Sequence, residues 1–171
     1  MERKNAWLSY GEADETAMEK LAKDYRAFLD AGKTERECVT ELVREAEANG
    51  YVNLETKLAA GEKIQPGDKV YAVGMKKVMA LFHVGQEPLE KGMNILGAHI
   101  DSPRLDVKQN PLYEDTDLAY LDTHYYGGVK KYQWVAIPLA IHGVIVKKDG
   151  SVVDVVIGED ENDPIVYITD L

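Results

Sequence analysis

The hydrophobic period of the chain changes near residue 50, and this change most strongly limits the folds that the chain can adopt. Before it, apolar side chains recur every three to four residues over 12–31 and again over 34–49, as on amphipathic helices. After it, they come in short runs bounded by glycine, proline and charged residues, which is typical of β-strands. The sequence therefore predicts a pair of N-terminal helices followed by β structure.

Each predicted helix has its own start or stop signal. Gly32 is expected to end the first helix, and Thr34 to begin the second. Thr34 and Glu37 have the spacing of a capping box, in which each side chain satisfies an amide group of the first turn. We interpret the two helices as an amphipathic pair that covers a sheet. The apolar stripes are Ala17, Leu21, Tyr25, Phe28 and Leu29 on the first helix and Cys38, Leu42 and Ala46 on the second.

The part of the chain that follows reads as a hairpin and a buried strand. Two strand-like runs at 69–73 and 78–84 are separated by a short turn. Residues 94–100 are almost continuously apolar, as a strand buried on both faces is, and the run ends abruptly at Asp101-Ser102-Pro103. Helices, a hairpin and a buried strand that ends in polar residues predict an α/β layer structure with a functional site at the end of that strand.

Beyond Pro111 the chain becomes β-prone, and no helix of convincing length is predicted there. Lys148-Asp149-Gly150 is a strong hairpin signal. We interpret residues 111–171 as a mostly β subdomain or an insertion. The β-prone runs are 118–126, 137–147, 152–157 and 165–168.

Composition and charge exclude several classes of protein. The net charge is −10, from 20 Lys and Arg against 30 Asp and Glu, which disfavours nucleic acid as a partner. No apolar run approaches the roughly 18 residues of a membrane span, and the charged N-terminus lacks the apolar segment of a secretory signal. The single Cys38 cannot form an internal disulfide, which fits a reducing compartment. We therefore expect a cytoplasmic protein with no membrane partner.

The sharpest local signal is Gly97-Ala98-His99-Ile100-Asp101-Ser102-Pro103. A neutral imidazole can supply a nitrogen ligand to zinc, and a carboxylate two residues later lies on the same side of an extended strand. If the chain bends there, Asp101 can accept the other ring N–H of His99 and fix its tautomer. Spacing alone leaves two interpretations open, a metal ligand and a structural histidine, because so short a pattern often arises by chance.

The other histidines and the cysteine have simpler structural interpretations. His83 is expected on the polar face of the hairpin, and His142 as a sheet residue with a satisfied hydrogen bond. Cys38, on the apolar stripe of a helix, is expected to be a small core residue. A hydrolase with one metal, held by His99 with His124 or His142, would need three ligands converging on one ion, and the spacing does not predict that.

Residues 96–108 resemble the H-T/I-D-S-P segment of the aspartyl aminopeptidase family, which is family 18 of the metallopeptidases, in the clan of co-catalytic dizinc aminopeptidases. Tyr126-Gly127-Gly128 is similar to the Y-G-G element that follows in that family, and residues 141–147 are similar to the next strand. The resemblance is scattered over most of residues 10–171, and residues 96–103 are its specific core.

The resemblance implies a fold, an activity and a site. Residues 1–109 would be the N-terminal part of a zinc-peptidase-like α/β catalytic domain, and residues 110–171 part of a mostly β inserted dimerisation domain. The complete enzyme would be a zinc metallo-aminopeptidase that removes N-terminal, acidic residues from peptides by metal-activated water. His99 would be a ligand of one of two zinc ions, and Asp101 the catalytic carboxylate that orients its imidazole. The family also implies a homo-oligomer in which dimers build a closed dodecamer.

The chain departs from the family pattern in two respects. The family's chains are more than twice as long, and their bridging Asp, Glu-Glu pair, second Asp and C-terminal His would lie beyond Leu171, so only a half-site is visible. Where many members have W-H-T-W, this chain has Tyr132 at the position of the His that reaches a neighbouring subunit's active site. The chain is therefore expected to be an incomplete portion of such an enzyme. The alternative is a non-catalytic oligomerisation or structural module that lacks a complete metal site.

Overall fold

The computed structural model describes residues 3–169, and the chain divides into two compact units, Met1–His99 and Ile100–Leu171. The first unit contains two long helices, one short helix and a three-stranded sheet. Short 3-10 helices at Ala6–Ser9 and Leu89–Lys91 lie near its two ends. Its elements are α1 (Glu12–Ala31), α2 (Glu35–Ala48), β1 (Val52–Asn53), α3 (Leu54–Ala59), β2 (Lys69–Gly74) and β3 (Val78–His83).

Helix α1 has the predicted bounds, but the prediction that its apolar stripe is buried is wrong. Leu21 is 69% exposed and Tyr25 is 58% exposed, and among the predicted residues only Phe28 reaches intermediate burial. The reason is that α1 packs on α2, whereas α2 packs on β2 and β3. Of the expected pair, only α2 covers the sheet of this unit, and the short helix α3 also contacts β2.

The start of α2 is the capping box that the sequence predicts. The Thr34 amide donates to Glu37 Oε2 at 2.8 Å, and the Glu37 amide donates to Thr34 Oγ1 at 3.3 Å. The Gly32 amide donates a hydrogen bond of 2.9 Å to the Phe28 carbonyl, which closes the last turn of α1. A Cβ at Gly32 would lie 2.6 Å from Cys38 Sγ, so the missing side chain allows α2 to approach the end of α1.

The hairpin of β2 and β3 also matches its prediction. The strands pair antiparallel from Lys69↔His83 to Gly74↔Val78, and β1 pairs parallel to β2. The Lys77 amide donates to the Gly74 carbonyl at 3.0 Å, and the central residues of this turn, Met75 and Lys76, have φ values of 50° and 56°, as in a type I′ turn. Short elements β1 and α3, before the hairpin, were not predicted.

The core of this unit lies between α2 and β2. The buried Tyr71 hydroxyl donates to Glu47 Oε1 at 2.7 Å, and this carboxylate and burial raise the pKa of Tyr71. Cys38 is buried, as predicted, and its burial raises the pKa of the thiol, with the charges of Glu37 and Glu35 adding to the effect. The buried hydrophobic residues are Cys38, Val39, Ala46, Val70 and Tyr71.

The predicted buried strand at 94–100 is not a strand in this structure. Residues 92–100 have no regular secondary structure, Ile95 is 81% exposed and Leu96 is 99% exposed. A strand buried on both faces needs neighbouring strands and a layer on each side. No strand among the described residues pairs with this segment, which leaves Ile95 and Leu96 exposed.

The second unit is built from two antiparallel hairpins joined by a single helical turn. The first hairpin turns at Thr116 and Asp117, both at positive φ, and the second at Gly150, as Lys148-Asp149-Gly150 predicts. The predicted strand at 165–168 is reduced to the isolated bridges Val135↔Ile168 and Leu139↔Val166. Its elements are β4 (Arg104–Asp115), β5 (Leu118–Tyr126), α4 (Lys131–Trp134), β6 (Ile141–Val146) and β7 (Val152–Ile157).

Helices and sheets are thus mixed as the sequence predicts, and the α/β class is confirmed. Strand β4 begins at Arg104, ahead of the predicted change at Pro111, because residues 104–107 pair with the end of β5. Strand β6 begins only at Ile141, after Pro138, which has no backbone N–H to donate to a ladder. No helix in residues 3–169 is long and apolar enough to cross a membrane.

The capping box gives a direct test of the fold of the first unit. Thr34→Ala removes the acceptor of the Glu37 amide and is expected to lower the free energy of unfolding by about 1 kcal/mol, the usual value of such a cap. The measurement is urea unfolding followed by circular dichroism. Thr40→Ala, on the exposed interior of the same helix, is the matched control and should change stability by less than about 0.5 kcal/mol. Equal losses in both variants would contradict the cap.

Cys38 gives a second test, because its thiol is buried and the pKa of that thiol is raised. The raised pKa lowers the thiolate fraction at any given pH, so the native chain should react with a disulfide reagent at least about tenfold more slowly than the urea-unfolded chain. The pH midpoint of the reaction should also lie higher in the native chain. Identical rates with and without urea would show that Cys38 is not in the core.

Candidate metal centre

His99 is the last residue of the first unit and lies at the end of the irregular segment. Its side chain is exposed. The segment brings no ordered strand to this position, so the backbone geometry that the sequence predicts for a strand-end ligand is not formed in the described residues. His99 is chemically suited to bind a metal through either ring nitrogen.

Asp101 is the better defined of the two candidate residues. It is half-buried in the second unit, and its Oδ2 accepts a hydrogen bond of 2.9 Å from the hydroxyl of Tyr126. Tyr126 is the last residue of β5 and the first of the Tyr126-Gly127-Gly128 motif. A side-chain hydrogen bond therefore joins two motifs that lie about 25 residues apart in sequence.

The register of the hairpin explains why these two motifs meet. Arg104 pairs directly with Tyr126 at the open end of β4 and β5, which places the residues just before β4 beside the end of β5. The Arg104 guanidinium lies over the Tyr126 ring, 4.3 Å from its centroid, within the range of a cation–π contact. Its Nε donates to Asp106 Oδ1 at 2.7 Å, so the guanidinium is held on a second side.

Gly127 completes this contact. Its φ is 72°, in the left-handed region that favours glycine, and a Cβ there would lie 3.4 Å from Pro103 Cγ. A Cβ at that distance would make an ordinary contact, so it is the left-handed φ of the turn after β5 that favours glycine here. The H-x-D-S-P segment and the Y-G-G element pack on each other through Asp101–Tyr126 and Pro103–Gly127.

The sequence did not predict these contacts, because the hairpin contains a large irregularity. Residues 108–111 of β4 stand opposite the single residue Asp122 of β5, between the pairs Val107↔Thr123 and Leu112↔Leu121. Counting residues outward from the turn without this bulge gives the wrong partner for Tyr126. The signal that could have found the contact is the co-occurrence of both motifs at the two ends of one β-prone stretch.

The remaining histidines have structural surroundings. His142 Nε2 lies 2.9 Å from Glu159 Oε1, and its side chain is mostly buried, which agrees with the interpretation of a sheet residue with a satisfied hydrogen bond. His124 stands opposite Asp106 in the hairpin register, with its ring 5.6 Å from that of Tyr125. His83 is exposed at the end of β3, as expected for the polar face. Tyr132, in the one-turn helix α4, is 77% exposed.

His99 and Asp101 could supply only part of a zinc site. Structural and catalytic zinc sites use three or four protein ligands, with imidazole nitrogen and carboxylate oxygen among the common ones. Across residues 3–169, no group of three or more His, Cys, Asp and Glu side chains is arranged to hold a metal ion. A site formed by His99 with His124 or His142 is thus not present in the described part of the chain. His99 offers an imidazole nitrogen and Asp101 a carboxylate, both of which are common zinc ligands.

Comparison with known proteins places this chain in a family. The family model for aminopeptidase I zinc metalloproteases (M18) matches residues 28–171. The chain is 59% identical over 170 residues to a probable M18 family aminopeptidase 1 from Clostridium acetobutylicum, a match that covers 99% of this chain and 37% of that protein.

Solved structures give the same relationship. Aminopeptidase I from Borrelia burgdorferi aligns with a TM-score of 0.87 and 38% identity, over 98% of this chain and 41% of that one. An M18-family aminopeptidase from Thermotoga maritima aligns with a TM-score of 0.85 and 44% identity, over 100% of this chain and 36% of that one. The chain therefore spans little more than a third of the length of these relatives. With a family match over most of its residues, it belongs to the M18 family of zinc metallopeptidases.

Proposed function

We propose that this chain forms the N-terminal part of a zinc aminopeptidase that removes N-terminal residues from peptides. Membership of the M18 family supports the activity. The observation that carries the proposal for this chain is the hydrogen bond from Tyr126 to Asp101, because it orders the carboxylate of the motif on which the resemblance rests.

In this proposal His99 binds one zinc ion and Asp101 orients its imidazole. A carboxylate that accepts the second ring N–H of a ligating histidine fixes its tautomer and raises its basicity. When bound, zinc would supply Lewis-acid activation of a water molecule and of the peptide carbonyl. The additional ligands, the second ion and the general base would come from residues other than those described here, since residues 3–169 hold no cluster of three ligands.

The family also suggests substrates, assembly and location. We propose acidic N-terminal residues as the preferred substrates, residues 1–109 as part of the catalytic domain and residues 110–171 as part of an inserted dimerisation domain. We also propose that the protein is cytoplasmic and that its dimers assemble further, up to a dodecamer. Exposed apolar side chains on both hairpins of the second unit support an interface there; they include Leu112, Leu118, Tyr113, Ile145, Val146 and Val152. Surfaces of this kind are rarely left open to water in a monomer.

A second candidate function is a non-catalytic oligomerisation module. The observation in its favour is that the described residues contain no metal-ligand cluster, while they expose many large apolar side chains. A module of this kind would assemble through its β hairpins and would need neither zinc nor His99.

A hybrid enzyme distinguishes the two candidates. This chain is joined to the C-terminal remainder of the Clostridium acetobutylicum relative, with which it shares 59% identity. The hybrid should retain zinc after dialysis and hydrolyse an aspartyl anilide. His99→Ala should lower turnover by at least about 100-fold, since even outer-shell partners of a metal contribute about 10- to 100-fold. Zinc content by mass spectrometry and the rate of anilide release are the measurements.

His83→Ala is the matched control, because His83 is an exposed histidine of the same unit outside the motif. It should keep both zinc and turnover. A hybrid that assembles but holds no zinc would support the non-catalytic module. An active hybrid that is indifferent to His99→Ala would contradict the role proposed for His99.

A further inference from the structure

Helix α1 carries a row of apolar side chains, the α1 ridge, which consists of Ala17, Leu21, Tyr25 and Leu29. A spacing of four residues places these side chains next to one another along one side of the helix. Leu21 is 69% exposed, Tyr25 58% and Leu29 45%. Single apolar side chains are common on protein surfaces, but a continuous apolar row is typical of a contact surface.

The contact between α1 and α2 does not cover this ridge. The two helices come close at their junction, where a Cβ on Gly32 would lie 2.6 Å from Cys38 Sγ. Phe28, near that junction, reaches intermediate burial, whereas Leu21 and Tyr25 stay exposed in the middle of α1. The α1 ridge is therefore available to a second element.

The exposed area of the chain shows how much cover is missing. The accessible surface is 14406 Å². Two separate folded domains that share 19.1 kDa equally would together expose about 10,000 Å², and one folded monomer of that mass about 8,400 Å². The chain thus exposes roughly 4,000 Å² more than two independent domains of its size would.

A second copy of the chain is too small a partner to supply this cover alone. A standard interface buries about 800 Å² on each partner, and large obligate ones about 1,000–2,500 Å². Each copy also has a net charge of −10, so two copies repel each other. In contrast, the match covers only 37% of the Clostridium acetobutylicum relative and 36% of the Thermotoga maritima one. The remainder of such a protein is large enough to cover the excess area.

The chemistry of the α1 ridge favours a helix as the covering element. The backbone groups of α1 are bonded within the helix, so α1 offers no ladder partner to an incoming strand. A second helix needs only apolar side chains that fit beside the ridge. Ala17 and Ala22 flank Leu21 and leave space for those side chains. Rows of this spacing pack into each other with helix axes about 8–10 Å apart.

We propose that the α1 ridge is the docking surface for an apolar helix from the C-terminal part of the same enzyme. This inference rests on the proposed function, in which the chain is the N-terminal part of a longer protein. In the complete enzyme, Leu21 and Tyr25 pack against this helix and are buried. The second copy of the chain and open solvent are the competing occupants that the test separates.

The test measures how fast a thiol on the ridge reacts with a maleimide. Leu21→Cys is made in this chain and in its hybrid with the remainder of the Clostridium acetobutylicum relative. In the chain alone, the new thiol should react as an exposed cysteine does, at any protein concentration. In the hybrid it should react at least about 100-fold more slowly, because reaction then requires local opening of the helix contact. Peptide mapping by mass spectrometry assigns the labelled site.

Ala27→Cys is the matched control. Ala27 is exposed on the same helix and lies about 200° around the axis from Tyr25, away from the ridge. Its thiol should react fast in both proteins. The buried Cys38 reports that each variant is folded, since it should react slowly in all of them. Ala17→Cys, a smaller change on the same ridge, serves if Leu21→Cys disturbs folding.

Two outcomes would overturn the inference. Fast labelling at position 21 in a folded hybrid would show that no helix covers the ridge. Protection in the chain alone that grows with protein concentration would assign the ridge to a second copy. If the hybrid does not fold, the full-length Clostridium acetobutylicum relative, substituted at the positions aligned with Leu21 and Ala27, gives the same readout.

Zinc content and anilide hydrolysis, measured on the same hybrid, separate this inference from the proposed function. A folded hybrid that protects position 21 but holds no zinc supports the docking surface and contradicts the proposed function. An active hybrid that holds zinc but labels fast at position 21 supports the proposed function and contradicts the docking surface.

Discussion

The register of β4 against β5 is the constraint on which the candidate site depends. Pairing Arg104 with Tyr126 places the start of one strand beside the end of the other, and both family motifs lie at those ends. The bulge that sets this register places four residues, 108–111, opposite one. Bulges of this kind re-aim side chains and are frequent near functional sites. Without the bulge, Arg104 would face Val129; the shift of three residues is what places Tyr126 opposite Arg104 and brings its hydroxyl to Asp101.

Local sequence signals predicted the elements that local interactions stabilise. The box of Thr34 and Glu37, the hairpin turn after β2 and the turn at Gly150 are each satisfied within a few residues, so short patterns are enough to find them. The contact of Asp101 with Tyr126 spans 25 residues and depends on an irregular register, which no periodic pattern encodes. The prediction that Leu21 is buried fails for a related reason. Periodicity shows that a helix has an apolar face, but it does not show which element packs against that face.

Segment 92–100 is a second case in which the sequence pattern does not show what the apolar side chains pack against. Its composition is that of a fully buried strand, yet Leu96 is almost completely exposed, and no described strand pairs with it. Because the relatives are nearly three times longer than this chain, the simplest physical account is that residues outside this chain would cover it. The same account explains why His99 stands in irregular backbone.

The central claim is that His99 binds the metal and Asp101 supports it. The most direct measurement is anomalous diffraction at the zinc edge from crystals of the zinc-loaded hybrid enzyme. The account predicts a zinc peak about 2.0–2.1 Å from a ring nitrogen of His99, the usual length of a zinc–imidazole bond, with Asp101 on the other ring nitrogen. A zinc peak at His124 or His142, with His99 bearing none, would contradict it.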